Sequence, residues 1–471
     1  MPAKYHIDVH PVKPRFPTEG KSTVLDWGEG CIRCARCVKE TCPYGAFDQR
    51  DFDESSLTDT IDSLCKNCFR CVQGCPRELV VKTLNPQYEG LGDEYWTPEI
   101  LLSTWYQAET GKIPVSGAGY GGAFAGDGFD AIWTDMSEIV RPTRDGIHGR
   151  EYISTAIDLG RHPLFLVFDE QGNLAFEPAP RVEIPLPVLL SQPPFCAGMS
   201  QVLHASLGAA RRVNTLMVVS RDQITPELAK SPAQLIPSFS AETLDLDDPL
   251  LQKIQLVEIQ DAGSVVAQVD ALKRRYPGLV CMVKVPADTQ AAARAGELAA
   301  AGAEVLHLAA SDQARGFEEA AEIHVKDLIR LTHLNLVELK LRDSVTLLAS
   351  GGIAMAEHVA KAIICGADGV IVDIPLLIAL ECRVCRRCEK GEPCPVKMDR
   401  MEIKRGAQRL VNLLGAWNNQ LLEVLGAMGL REVRRLRGEV GRAMFVEDLQ
   451  REIFAPLFTR PLNESGRREG E

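Results

Sequence analysis

The chain has 471 residues, 45% apolar and 25% charged, with a formal net charge of −12. That length allows two or three domains and at least one large core, and the acidic balance argues against a nucleic-acid or anionic-membrane binder. No stretch reaches about 18 uncharged apolar residues, and "MPAKYHIDVHPVKPRF" has no apolar leader, so neither membrane insertion nor a signal peptide is predicted.

Fifteen cysteines fall mostly into tight groups. Clusters of this kind in an unexported chain read as metal sites in a reducing cytoplasm, not as a disulfide scaffold. Residues 1–92 form the first predicted unit. Within it, "CIRCARCVKETCP" holds Cys31, Cys34, Cys37 and Cys42, and "CKNCFRCVQGCP" holds Cys65, Cys68, Cys71 and Cys75. The second run has the bacterial ferredoxin spacing C-x2-C-x2-C-x3-C-P, and the first has one more residue before its last cysteine. Three thiolates wrap one face of a cubane from a tight loop, and the fourth, carried off past a proline, ligates the other cubane. The spacing therefore predicts one [4Fe–4S] centre on Cys31, Cys34, Cys37 and Cys75, and another on Cys65, Cys68, Cys71 and Cys42. Zinc also takes four thiolates, but it usually pairs two C-x2-C units. Two cubanes in so small a unit would pass single electrons.

Residues 93–185 are rich in Gly, Pro and aromatics and read as a connecting segment packed on the next domain. "GAGYGG" (117–122) fits the dinucleotide fingerprint but lacks a following helix, so a Gly-rich loop is the better reading. "RPTRDGIHGREYIS" (141–154), with Arg141, Arg144, Asp145, His148 and Arg150, reads as a solvated turn or as an anion-facing loop.

Strand-like runs begin near residue 182: "VEIPLPVLL", "TLMVVS", "IQLVEIQ", "LVCMVKV", "EVLHLAA", "VTLLASGG" and "GVIVDIP". Apolar strands alternating with helical stretches mean a parallel sheet covered by helices, and a succession this long predicts a (β/α)8 barrel over 186–400. Its late loops are where such barrels hold phosphate, and Gly351 and Gly352 permit close backbone approach at a helix start. Straight after the last strand comes "CRVCRRCEKGEPCP", carrying Cys382, Cys385, Cys388 and Cys394. Residues 401–471 read as C-terminal helices and a tail, with Gly429 a stop signal and "NESGRREGE" disordered. Cys196, Cys281 and Cys365 lack partners at ligand spacing and read as core residues. His307 and His324 read as structural.

The barrel pattern, the "ASGGI" turn, "GADGVIV" and "LIALECRVCRRCEKGEPCPV" resemble the FMN-binding domain of glutamate synthase. Over residues 3 to 440 the chain is similar to the archaeal-type glutamate synthases, which place a two-cluster ferredoxin module ahead of that barrel. The resemblance implies a third Fe–S cluster on Cys382, Cys388 and Cys394. Cys385 is additional and would complete four ligands, favouring [4Fe–4S] over [3Fe–4S], with zinc the alternative.

It also implies FMN, with Lys284 beside the flavin, Ser350, Gly351 and Gly352 as the first phosphate loop, and Gly366 and Gly369 of "GADGVIV" as further cofactor-binding positions. The chain departs from the family at Asp373–Ile374, where the family has Gly–Thr. It departs again in "VVSRDQITPEL" and "ASDQARGFEEA", which replace Gly-rich loops around the flavin and 2-iminoglutarate pockets. Glutamate synthesis is therefore not expected, and this polypeptide carries no glutaminase. Two functions stay open. One is an Fe–S oxidoreductase passing electrons to FMN, with other redox subunits or a ferredoxin-type donor as partners. The other is a flavin-free electron-transfer scaffold of a larger redox complex.

Overall fold

Ser22–Asp26 (β1) pairs antiparallel with Val80–Leu84 (β2), Ser22 opposite Leu84 and Asp26 opposite Val80, and the first two cysteine loops are strung between these strands. The computed structural model describes residues 5–26, 30–48, 61, 64–113, 127–134, 153–195, 200–240 and 242–455. The loop at 117–122, the polar residues from Arg141 to Arg150, Cys196 and the tail after 455 lie outside the described residues.

The stretch after residue 93 contains a helix that its composition hides. Pro98–Thr110 starts at Thr97, whose hydroxyl accepts from the Ile100 N–H, with Pro98 in the first turn, and it stops at Gly111 with φ +68°. That is an N-cap, a pre-set first φ and a left-handed stop. Leu101, Trp105 and Ala108 bury its inner face. Short strands follow at Ile132–Thr134 (β3), Ile157–Gly160 (β4) and Arg181–Ile184 (β5), the last two paired antiparallel.

Eight strands then close into a barrel: Val188–Ser191 (β6), Met217–Ser220 (β7), Leu235–Phe239 (β8), Leu256–Gln260 (β9), Val280–Pro286 (β10), Val305–Ala309 (β11), Thr346–Ser350 (β12) and Gly369–Val372 (β13). All neighbouring pairs are parallel, and β13 returns to β6, with Val370 opposite Val188. The expected (β/α)8 architecture is present. The sequence reading names seven of these strands; β8, "LIPSF", escapes it because Pro237 and Ser238 interrupt the apolar run. Every β8 residue is nonetheless buried. A last strand, Ala443–Phe445 (β14), pairs with β3.

The ring of helices is completed by Ile403–Ala427, which packs on Ser200–Val213, on Ala356–Cys365 and on Pro98–Thr110. The crossing is close: a Cβ on Gly406 would stand 3.1 Å from the Ala205 Cβ. This helix, the first of those expected after residue 400, packs directly on the outer helices. Gly429, with φ +69°, follows its end as the sequence indicates.

The amino-terminal arm is tied onto the same structure. The Arg15 N–H donates to Glu381 Oε1 at 2.7 Å, and Arg405 and Arg409 reach the same carboxylate at 3.1 and 3.7 Å. Asn412 donates to the His10 carbonyl at 2.7 Å. Among the described residues no helix is long and apolar enough to cross a membrane.

Candidate cluster sites and barrel mouth

The three cysteine loops share one backbone. In each C-x2-C-x2-C run the residues two and four past the first cysteine are left-handed: Arg33 and Ala35 (51° and 56°), Asn67 and Phe69 (55° and 58°), Val384 and Arg386 (52° and 51°). Left-handed residues alternating with ordinary ones turn successive N–H groups inward and form a nest for an anion, a known seat of Fe–S sulfides. A short helical turn carries the third cysteine of each run or starts on it: Cys37–Thr41, Arg70–Gly74 and Arg387–Lys390. Each Cys-Pro step is followed by another left-handed residue, Gly45 (71°), Glu78 (55°) or Lys397 (45°). The middle cysteine of each run, Cys34, Cys68 or Cys385, is exposed.

One cleft is lined by Cys31, Cys34, Cys37 and Cys75 together. Cys37, Cys42, Cys65 and Cys75 all pack against a small core of Ala46, Phe47, Cys71 and Val80. Lys82 Nζ donates to Cys65 Sγ at 2.8 Å, and the Leu79 N–H donates to Cys75 Sγ at 3.4 Å. Among the described residues no three Cys, His, Asp or Glu side chains could hold a single metal ion between them.

The third loop stands on a much larger base. Cys382 is buried in the barrel core, and burial pushes its thiol up to about 12, with Cys385, Cys394 and Cys388 close enough to add their charge. The Gly92 N–H donates to the Arg383 carbonyl at 3.0 Å. Arg386 pairs with Asp312, in the loop after β11, and lies over the Phe195 ring at 5.0 Å. The indole N–H of fully buried Trp96 donates to the Asp312 carbonyl at 3.0 Å, and the Tyr95 hydroxyl donates to the Gly352 carbonyl. The segment joining the amino-terminal clusters to the barrel therefore meets the third loop at the barrel mouth.

Lys284 and Ser350, near the carboxyl ends of β10 and β12, are half-buried there. Gly351 and Gly352 have φ of +99° and +64°, and the loop after β11 fills the space beside them. A Cβ on Gly351 would meet the Ala310 and Ser311 carbonyls at 2.5 Å, and one on Gly352 would meet Ala314 at 2.4 Å.

Asp373 is turned back on its own helix, its Oδ1 accepting the Ile374 N–H at 2.6 Å. Burial pushes its carboxyl up to about 6. The amino end of the helix Ile374–Ala379, a seat for phosphate in such barrels, is thus occupied by a side chain.

Gly366 and Gly369 require a correction. Gly366 ends the helix Ala356–Cys365, and Gly369 begins β13, so both lie at the opposite end of the barrel from the mouth. Gly366 is glycine because its φ is +128° and a Cβ there would strike the His333 side chain at 2.3 Å; Gly369 makes room for Ile157.

His307 is the residue the sequence reading undervalues. Its Nδ1 lies 2.6 Å from Glu258 Oε2, and its Nε2 lies 2.7 Å from Ser350 Oγ. Ser238 donates to the other Glu258 oxygen at 2.7 Å. Burial alone would raise the Glu258 carboxyl, and His307, Lys284 and Ser238 more than reverse this, holding it below the usual range. His324 is structural: its Nδ1 caps the helix Val325–Glu338 through the Lys326 N–H at 3.0 Å. Cys281 and Cys365 are buried core residues whose thiols burial pushes up to about 12.

Residues 250–431 match a family model described as a conserved region in glutamate synthase, and residues 24–76 match a 4Fe-4S dicluster domain. The chain is 27% identical to the archaeal-type glutamate synthase [NADPH] of Dehalococcoides mccartyi, across 87% of this chain and 92% of that protein. It is 28% identical to the archaeal glutamate synthase [NADPH] of Archaeoglobus fulgidus, across 90% and 94%. Over most of its length the chain is similar to the archaeal-type glutamate synthases. A flavocytochrome b2 variant with sulfite bound is similar at TM-score 0.45 and 12% identity, over 72% of this chain and 84% of that one. In this chain the matched conserved region runs from just before β9 through the third cysteine loop and the closing helix. Strands β6 to β8 lie outside it.

Proposed function

We propose that the chain is an iron–sulfur flavoprotein oxidoreductase. Electrons enter through two [4Fe–4S] clusters, on Cys31, Cys34, Cys37 and Cys75 and on Cys65, Cys68, Cys71 and Cys42. They pass a third [4Fe–4S] cluster on Cys382, Cys385, Cys388 and Cys394 and serve a carbonyl- or imine-reducing site at the barrel mouth. The observation that carries this reading is the repeated loop. The third run reproduces the left-handed positions, the helical turn and the exposed middle cysteine of the first two. Its fourth cysteine comes from the same loop, as a lone cluster requires. The proposed electron source is another redox subunit or a ferredoxin-type donor.

FMN is the proposed cofactor of the mouth, held by Lys284 and by the backbone of Gly351 and Gly352. Since Asp373 caps the helix Ile374–Ala379, the phosphate falls to the turn after β12. When bound, FMN couples the arrival of single electrons to two-electron chemistry. Glutamate formation is not proposed, because the loops after β7 and β11 carry charged and bulky residues.

A second reading, a flavin-free electron-transfer scaffold, draws on the same Asp373 cap and on the filled space beside Gly351 and Gly352. Anaerobic purification with flavin, iron, sulfide and zinc counted on one sample tests both. About one FMN and twelve irons per chain support the first reading. Twelve irons without flavin select the second. Eight irons with one zinc remove the third cluster.

A further inference from the structure

The interior of a (β/α)8 barrel is ordinarily filled by branched aliphatic side chains in layers. Four adjacent strands here, β8 to β11, instead contribute Ser238, Glu258, Lys284 and His307, and Ser350 follows on β12. Glu258 is 1% exposed and His307 3%. A buried ion pair of this kind is a poor route to stability, since well-packed hydrophobic residues of the same volume do as well or better. A purely structural account therefore leaves this pair unexplained.

Its geometry is that of an acid–base device. Glu258, held ionised, can only accept, so the His307 Nδ1 carries hydrogen toward it. That fixes the ring and directs Nε2 at Ser350 Oγ. The chain of hydrogen bonds runs outward from a sealed carboxylate to a half-buried hydroxyl at the carboxyl end of a barrel strand, where barrel enzymes place their reacting groups. Charged groups around it are Lys284 beside Glu258, and Asp373 and Asp312 beyond Lys284.

We propose that Glu258, His307 and Ser350 form a proton relay whose outer end, the Ser350 hydroxyl, exchanges a proton with a carbonyl compound, or its imine, at the barrel mouth. The reducing direction rests on the oxidoreductase reading above, in which a reduced flavin at the mouth would supply the hydride. Hydride adds to the carbonyl carbon and the π pair moves to oxygen. That oxygen takes the Ser350 proton, and Ser350 takes one from His307 Nε2. The imidazolium becomes neutral with Nδ1–H still on Glu258, so that C=O, one hydride and one proton give CH–OH. Solvent then returns a proton to His307. Ser350 is a catalytic residue in this scheme, His307 passes the proton on, and Glu258 positions His307.

The same hydrogen bonds make Ser350 Oγ a nucleophile whenever neutral His307 can take its proton, and this gives a test without a known substrate. The full-length, cluster-containing protein is treated with an alkyl fluorophosphonate, and the adduct is located by peptide mass spectrometry across pH. The expected result is labelling at Ser350 that rises through a single ionisation to a plateau. It falls about a hundredfold or more in His307→Gln and disappears in Ser350→Ala. Iron content and melting of each variant show that it is folded. An unlabelled Ser350 in the unmodified protein overturns the relay, as does a rate that climbs with hydroxide without a plateau. These two outcomes need no variant. A folded His307→Gln that labels at the unmodified rate does the same. Flavin counted on the same sample separates the two proposals: an inert Ser350 in protein holding FMN removes the relay alone, and a reactive Ser350 without FMN leaves the relay and removes the flavin.

Discussion

The first two cysteine loops and the third have the same backbone and opposite surroundings. The amino-terminal pair rests on a core of Ala46, Phe47, Cys71 and Val80. The third rests on the barrel, with Cys382 buried and Glu381 beside it gripped by Arg15, Arg405 and Arg409. A core of four residues offsets little of the entropy of ordering a loop. The comparison therefore separates loops that a cluster must organise from a loop that the fold organises in advance.

The largest effect expected from that difference comes from removing iron. In apoprotein prepared anaerobically with a chelator, amide exchange in residues 30–48 and 64–84 should become nearly complete within the shortest labelling time. The loop at 382–397 and strands β9 to β13 should keep their protection. Equal loss of protection in both regions would erase the contrast.

Next in size is Glu381→Gln. It leaves Arg409, only 1% exposed, beside a neutral amide, and breaking such a buried pair costs about 3–5 kcal/mol, read as a lower melting temperature with early exchange in the third loop. Burial raises the Glu381 carboxyl, and hydrogen bonds from Arg405 and Arg15 more than reverse this, so it sits below its ordinary value of 4.5. Its stabilisation is therefore complete above that value and is lost as pH falls through the lower folded one. Variant and parent should differ most near neutrality and converge in acid. A constant gap down to strongly acid pH would contradict the carboxylate's role.

Cys385→Ser should be milder. The exposed thiol is lost while buried Cys382 and half-buried Cys388 and Cys394 remain, so iron should fall by about one per chain, with an electron paramagnetic resonance signal typical of oxidised [3Fe–4S]. A loss of about four irons would mean that the barrel does not hold the remaining three ligands in place.

The smallest effect tests the other side. Lys82→Gln removes the ammonium from Cys65 Sγ. Charge and hydrogen bonds at ligand sulfur raise a cluster's potential, so one amino-terminal midpoint should drop by on the order of tens of millivolts. The third cluster should not move.

Much of this was legible in advance, for reasons that can be named. Ligand spacing is local, so the cysteine runs declare themselves, and continuous apolar runs gave away seven barrel strands. What stayed hidden depended on contacts or on broken patterns. Pro237 masks β8. The helix Pro98–Thr110 lies in a stretch whose Gly and Pro content suggests a connector, although Thr97, Pro98 and Gly111 mark its ends. The third loop's likeness to the others is disguised by a last gap of five residues where theirs are four and three. Gly366 and Gly369 were expected at the cofactor through the resemblance of "GADGVIV" to the flavin domain, and only the direction of the strand that Gly369 begins puts them at the other end. The His307–Glu258 pair spans 49 residues and two strands, and nothing near either residue in the sequence announces the other.

The clasp between Arg15 and Glu381 joins residues 366 apart. During synthesis the arm and both amino-terminal loops leave the ribosome first, and at about 5–20 residues per second Glu381 follows roughly 20 to 70 seconds later. Until then the arm has nothing to close against, and it waits undocked for that interval. The third loop takes its shape only once the barrel beneath it has been made. One clasp therefore sets an order of assembly, in which the first residues made are among the last to be fixed in place.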